Sequence, residues 1–425
     1  MITASEFENH YAKEFDKMEQ ILEQDDDRKL NLILQKVAES ASIAFRDATG
    51  THLPRLDRIL LKIADIIRNQ QHPKQSSSDK SIILVSELYS IGGHSRIVED
   101  MIDLIHGEVL VIITDYVGRY ASGKIALNDI YKHFKKASVL TLPMGTYIEK
   151  VMSLTNIIKL VSPGKLYLLL HHPDSIGYVA AFAHKVNGLK SFFIHHADHN
   201  PTLGATLHYE KHLDTTKEYA LKCNELNCDN CHVLPLYVKD KGPRTPNFTD
   251  KIVNFASVGS HNKFIFEGSL DHAARVINCL KFVSDSQFYH IGPLEESSLK
   301  KINLALFENG IKSERFKYIN SVPSLWKAFL ELDTHVLIGS APLGGGRAAI
   351  EAQGAGIPVL WYEHNIKSVY EADELSWHDH KSLDNAILKV MENYFKYSKN
   401  ARKFYENYYN EKRFKESLGF KIEEF

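Results

Sequence analysis

Residues 194–204 read IHHADHNPTLG, so His195, His196, Asp198 and His199 stand close together in the chain. Imidazoles beside a carboxylate can take a proton from a hydroxyl, hold a metal or close a turn by hydrogen bonds. A second such group, HHPD, occupies 171–174. A third stretch, LKCNELNCDNCHVLP, gathers Cys223, Cys228, Cys231 and His232. CDNCH fits the C-x-x-C-H haem-attachment pattern, and the cysteines with His232 offer soft ligands for a structural metal. No export signal of the kind that haem attachment requires precedes it, and zinc ligands usually come as two separated couples. The expectation here is a reduced, partly buried loop with no metal.

Two further stretches are rich in glycine. SELYSIGGHSRIVEDM carries Gly92, Gly93 and His94, and VLIGSAPLGGGRAAIEAQGAGIPVLWYE (336–363) carries Gly344, Gly345 and Gly346 directly before Arg347. A strand ending at Ser340, three glycines and a helix opening at Arg347 bring backbone N–H groups, a helix N-terminus and a guanidinium to one point. That is a physical description of a diphosphate site. Gly344, Gly346, Ala349 and Glu363 also satisfy a dinucleotide fingerprint. SAPL separates those glycines from the strand, however, which argues against that cofactor.

The elements that must position these residues follow from apolar periodicity. NLILQKVAESASIAF and LDRILLKIADIIRN repeat apolar residues at helical spacing, which makes 1–75 a helical region packed on a larger body. HPKQSSSDK (72–80) is a linker. SIILVSEL (81–88), EVLVIITD (108–115), SVLTLP (138–143), KLYLLLHH (165–172) and KSFFIHH (190–196) are short apolar strands alternating with amphipathic helices, the pattern of a parallel sheet covered on both faces. DKGPRTPNFTD (240–250) reads as a linker before a second series: NFASVGS (254–260), FYHIGP (288–293), RFKYIN (315–320), THVLIGS (334–340) and IPVLWYE (357–363). The fold class is α/β, with doubly wound domains over 80–240 and 250–385 facing a cleft and C-terminal helices over 386–425 packing back across them. Ligands of such sheets bind beyond the carboxyl ends of the strands, where both glycine loops and both histidine groups fall.

Composition narrows the function classes. The chain has 425 residues, 44% hydrophobic and 24% charged, with net charge −2 and four cysteines. There is no overall basic field to capture nucleic acid or an anionic membrane, and no disulfide scaffold. The charged N-terminus lacks a signal-peptide apolar core, and LYLLL (166–170) is far short of a membrane span. The expectation is a cytoplasmic protein with at most peripheral membrane association, and with the N-terminal helices as a candidate oligomerisation surface.

The loop with Gly92-Gly93 resembles the N-domain loop of GT-B glycosyltransferases. Pro342-Leu343-Gly344-Gly345-Gly346, Glu351-Ala352 and Gly356-Ile357-Pro358-Val359 resemble the donor-binding signature of their C-domain, and FASVGSHNKF resembles that domain's opening strand and loop. The resemblance spans about 80–425. It implies that Gly92 and Gly93 approach the ligand closely, that Gly344, Gly345, Gly346 and Arg347 meet the pyrophosphate or sugar, and that Glu351 meets the ribose. Ser260 and Lys263 would lie near the phosphates, and Asn320, Ser321 and Val322 would edge the base pocket. Many retaining members carry a glutamate eight residues before the ribose glutamate. Here that position is Leu343, which leaves the sugar contact and the stereochemistry open.

The resemblance implies transfer of a sugar from a nucleotide-sugar, most simply a UDP-sugar, to a hydroxyl of a glycan, a lipid-linked intermediate or a protein. No permanently bound cofactor and no metal are expected. The histidine cluster would then lie on the acceptor side, with His196, Asp198, His199 and His94 as candidate bases and at least one of His195 and His196 closing the strand end by hydrogen bonds. The alternatives are a nucleotide-sugar epimerase or phosphorylase on this fold and a non-catalytic scaffold.

Overall fold

The computed structural model describes residues 2–23, 27–71, 78–89, 92–184, 188–196, 200–225, 230–244, 254–265, 271–365 and 367–419. The chain divides into two compact units, Met1–Leu234 with Lys415–Phe425, and Pro235–Phe414.

The first unit opens on β1 (Ile2–Thr3), α1 (Ala4–His10), α2 (Ala12–Leu22), α3 (Asp27–Asp47), β2 (Ala48–Thr49) and α4 (Pro54–Gln71). Thr3 and Glu6 cap α1 reciprocally, and Pro54 occupies the first position of α4, where its missing N–H costs nothing. Next come β3 (Ser78–Val85), α5 (Gly93–Leu104), β4 (Val109–Ile113), α6 (Leu127–His133), β5 (Ser138–Thr141), α7 (Tyr147–Val161), β6 (Pro163–Leu169), α8 (Ser175–Ala183), β7 (Lys190–His195), β8 (Lys211–Asp214), α9 (Lys217–Glu225) and β9 (Cys231–Val233). All seven strands from β3 to β9 pair in parallel, in the order β5-β4-β3-β6-β7-β8-β9.

The N-terminal helices and this sheet share one core. Phe7, Phe15, Leu34, Leu56 and Ile63 pack in the same buried cluster as Leu84, Leu168, Tyr178 and Phe193. Asp57 on α4 reaches into the loop after the histidine cluster and accepts from Gly204 N (2.6 Å), Thr206 N (3.0 Å) and Thr206 Oγ1 (2.7 Å). Sequence periodicity ends this strand series at 190–196; the structure adds β8 and β9 beyond it.

The second unit runs β10 (Asn254–Val258), α10 (His272–Phe282), β11 (Gln287–Ile291), α11 (Glu296–Glu308), β12 (Phe316–Ile319), α12 (Leu325–Glu331), β13 (Val336–Ile338), α13 (Gly346–Gly354), β14 (Val359–Tyr362), β15 (Ser376–Trp377), α14 (His380–Glu392) and α15 (Tyr394–Tyr408); α16 (Glu411–Ser417) straddles the boundary of the units. Its sheet is also parallel, ordered β12-β11-β10-β13-β14-β15. Both sheets are doubly wound, reversing direction between β3 and β6 in the first and between β10 and β13 in the second. Crevices outside the carboxyl ends of such strand pairs are where ligands bind. No described helix is long and apolar enough to cross a membrane.

Candidate functional site

The reversal point of the first sheet collects three imidazoles. Gly92, with φ +148°, caps the start of α5 in a conformation that L side chains rarely adopt, and among the described residues no atom beyond the chain neighbours lies within 4 Å of a Cβ built on Gly92 or Gly93. That open turn places His94 in the first turn of α5, against the end of β6. His171 follows β6 and His196 follows β7. The ring of His94 lies 5.3 Å from that of His171 and 4.6 Å from that of His196.

His94 Nε2 stands 3.0 Å from the carbonyl of Leu169, so this nitrogen carries the proton and Nδ1 keeps its lone pair. That Nδ1 has no hydrogen-bond partner among the described residues. Burial lowers the His94 pKa to about 4. Burial, with His94, His172 and Arg119 close by, lowers that of His171 to about 3. His196 is also held well below the ordinary value by burial and its histidine neighbours. The three rings are therefore neutral at physiological pH.

A buried polar frame fixes this rim. Asp174, the N-cap of α8, accepts from Ser86 Oγ (2.6 Å), Thr114 Oγ1 and Gly177 N (3.0 Å), while Ser86 Oγ accepts from His171 N (2.8 Å). Glu87, buried beyond β3, accepts from Tyr89 OH and has Arg119 Nη1 at 3.4 Å. Residue-by-residue reading of the sequence passed over Ser86, Glu87 and Arg119. Asp198 and His199 lie outside the described residues.

At the reversal point of the second sheet, Gly259 (φ +150°) ends β10 and Gly292 (φ +135°) ends β11. The two turns pack so closely that a Cβ on Gly292 would stand 2.2 Å from Gly259 O. The tight turn at Gly259 leads through Ser260 into the single helical turn His261–Phe264, which carries Lys263. On the neighbouring β13, the chain runs through Gly339 and Ser340 to Gly344, Gly345 and Gly346. Ser340 Oγ donates to Leu343 O (2.7 Å), and Asn365 Nδ2 donates to Ser340 O (3.2 Å). Gly345 is the N-cap of α13, and a Cβ built on it would lie 3.3 Å from Lys263 Nζ. Lys263 has no ion-pair partner among the described residues, and burial lowers its pKa from the ordinary lysine value.

Behind the loop lies Arg275, 1% exposed, which donates from Nη2 to Ala341 O (3.1 Å) and stacks on Phe264 and Trp377. Arg347 Nε is 3.7 Å from Glu351 Oε1. Glu351 Oε2 accepts from Trp326 N (3.0 Å) at the start of α12, so this buried carboxylate also ties α13 to the segment holding Asn320, Ser321 and Val322. The structure therefore brings Lys263, Ser340 and the three glycines together, with Glu351 one helical turn past Arg347. Arg275 and Asn365 went unnoticed in the sequence because nothing in their spacing links them to the loop.

No family model and no curated protein sequence matches the chain. Among solved structures it is similar to HepE of Anabaena in complex with UDP, with a TM-score of 0.61 and 11% identity over 80% of this chain and 98% of that one. It is similar to the lipopolysaccharide outer core galactosyltransferase WaaB, with a TM-score of 0.58 and 14% identity over 80% and 99% of the two chains. It is also similar to a variant of TarM from S. aureus in complex with UDP, fondaparinux and α-GlcNAc-glycerol, with a TM-score of 0.57 and 10% identity over 80% and 98%. The fold is that of the GT-B glycosyltransferases, two α/β domains each built on a parallel sheet.

Proposed function

We propose that this chain transfers a sugar from a nucleoside diphosphate sugar, most simply a UDP-sugar, to an acceptor hydroxyl on a glycan, a lipid-linked intermediate or a protein. The observation that carries this reading is the Lys263 ammonium, held without an ionic partner among the described residues beside the helix N-cap Gly345. Holding a cation partly out of water is unfavourable until an anion arrives. The N–H groups of Gly344, Gly345 and Gly346 at the α13 N-terminus supply the complementary donors for a diphosphate. UDP in the HepE and TarM structures fits the same reading.

In this mechanism Lys263, with Ser260 nearby, offsets the charge that builds on the departing diphosphate. Arg347 flanks the same helix end. Glu351 keeps Oε2 on Trp326 and turns Oε1 to a ribose hydroxyl, while Ser321 and Val322 border the base. His94 is the acceptor base this reading favours in the first unit: Leu169 sets its tautomer, Nδ1 keeps its lone pair, and burial holds the ring neutral and able to accept a proton. His196 shares that rim, Asp198 and His199 keep their candidacy, and Gly92 and Gly93 leave the acceptor side open. The chemistry requires no metal at the diphosphate.

The test is a thermal-shift screen of UDP, GDP, ADP and their sugars, followed by measurement of acceptor-free donor hydrolysis with the best ligand. A rise in melting temperature with one nucleotide series and slow release of that nucleotide from its sugar are expected. No shift with any nucleoside diphosphate overturns the proposal.

A further inference from the structure

Next to the histidine rim, on the other side of β7, four side chains of different chemistry converge. His195 on β7, His212 and Asp214 on β8, and Cys223 on α9 are all buried, with exposures of 2%, 1%, 0% and 0%. His195 Nδ1 lies 3.0 Å from Asp214 Oδ1, 3.4 Å from His212 Nε2 and 3.7 Å from Cys223 Sγ. Asp214 Oδ1 lies 3.5 Å from His212 Nε2 and 3.3 Å from Cys223 Sγ. The four atoms lie within 4.8 Å of one another.

A hydrogen-bond network explains this arrangement poorly. Three donors crowd onto Asp214 Oδ1, while Asp214 Oδ2, equally buried, has no partner among the described residues. Buried polar groups normally spread their hydrogen bonds over every available lone pair. A single point of convergence accounts for the geometry instead. Zinc bonds of about 2.0–2.1 Å to nitrogen or oxygen and about 2.3 Å to sulfur make tetrahedron edges of about 3.3–3.4 Å, or about 3.5–3.6 Å where sulfur is one corner. The observed separations scatter around those edges. An octahedral ion with bonds of about 2.0–2.1 Å would bring adjacent ligands to about 2.9 Å, closer than any separation in this set, and the larger cations with longer bonds take oxygen ligands rather than imidazole and thiolate.

The geometry points to a closed structural zinc site formed by His195 Nδ1, His212 Nε2, Asp214 Oδ1 and Cys223 Sγ. It departs from the expectation of a metal-free chain. His195 and Cys223 belong to the histidine and cysteine stretches of the sequence, and His212 and Asp214 come from β8, which apolar periodicity does not mark. Four protein ligands leave no open position, so the ion is structural rather than catalytic. It would clamp β7, β8 and α9 at their carboxyl ends. Successive residues of a strand point to opposite faces, so holding His195 on one face directs His196 into the histidine rim on the other.

The full chain, equilibrated with zinc and then dialysed, is expected to retain about one equivalent of zinc by elemental analysis. Cys223→Ser and His212→Gln are expected to lose it, and His196→Ala to keep it. Cobalt in place of zinc is expected to give the intense visible bands of a tetrahedral ion together with a thiolate-to-cobalt charge-transfer band, a reading on the unmodified chain that does not depend on any variant folding. A zinc chelator is expected to lower the melting temperature. The site is overturned by failure to retain zinc, by a weak octahedral cobalt spectrum without the thiolate band, or by zinc that survives Cys223→Ser and disappears in His196→Ala.

Discussion

Placing a carboxylate at Gly345 tests the diphosphate site through its electrostatics. A Cβ there lies 3.3 Å from Lys263 Nζ and 3.5 Å from Ser340 Oγ, so the carboxylate of Gly345→Asp pairs with Lys263 and occupies the anion position itself. The incoming diphosphate loses a charge-assisted hydrogen bond worth roughly 1.5–3 kcal/mol. It also meets a like charge at about 5 Å, which at an effective dielectric near 20 costs about 3 kcal/mol. Together these weaken UDP binding by roughly a thousandfold or more. The backbone is no obstacle, since Gly345 has φ −124°, and Asp is a favoured N-cap residue, so the melting temperature of the unliganded variant should not fall. Gly345→Ala adds only a methyl group beside the flexible end of Lys263 and should keep UDP affinity within about threefold. Isothermal titration with UDP measures all three proteins. Retention of UDP binding by Gly345→Asp, or an equal loss in Gly345→Ala, would refute the electrostatic argument.

Three other expectations follow from the same geometry. His94→Gln preserves a donor toward Leu169 O but removes the base, so transfer should fall by about 10²–10⁴-fold with UDP affinity unchanged; a parallel loss of UDP binding contradicts that role. His94 and His171, with folded pKa values of about 4 and about 3, refuse protons that the unfolded chain accepts below about 6.5. Stability should therefore be flat above pH 7 and fall as pH drops toward 4, by on the order of 2 kcal/mol at pH 5 for His94 alone, and His94→Gln should flatten the curve measured by urea unfolding. In α13, a Cβ on Gly354 would stand 2.2 Å from the Trp326 ring, so Gly354→Ala should lower stability by about 1–3 kcal/mol; an unchanged melting temperature would show that Trp326 is free to move.

The legible part of this fold was its apolar part. KLYLLLHH and THVLIGS announce β6 and β13 because their buried faces are hydrocarbon, and glycine runs announce the turns where a ligand meets backbone. KHLD (211–214) escaped the same reading although His212, Leu213 and Asp214 are all buried. Its interior is polar and meets His195 and Cys223, which lie on other elements, so periodicity carries no trace of it. Adjacent His195 and His196 read as one cluster, but strand geometry divides them between two sites. His94 was recognisable from its glycine turn. The pairing of Lys263 with Gly345 depends on β10 and β13 being neighbours in the sheet, a fact of topology that no local motif encodes.

In the proposed mechanism the loop of Gly344, Gly345 and Gly346 holds the diphosphate of a sugar nucleotide together with Lys263. The most direct measurement is a crystal structure of the chain with UDP. The diphosphate is expected on the N–H groups of these glycines, with Lys263 Nζ in contact and Glu351 at the ribose. UDP bound elsewhere, or a diphosphate that leaves Lys263 untouched, would contradict it.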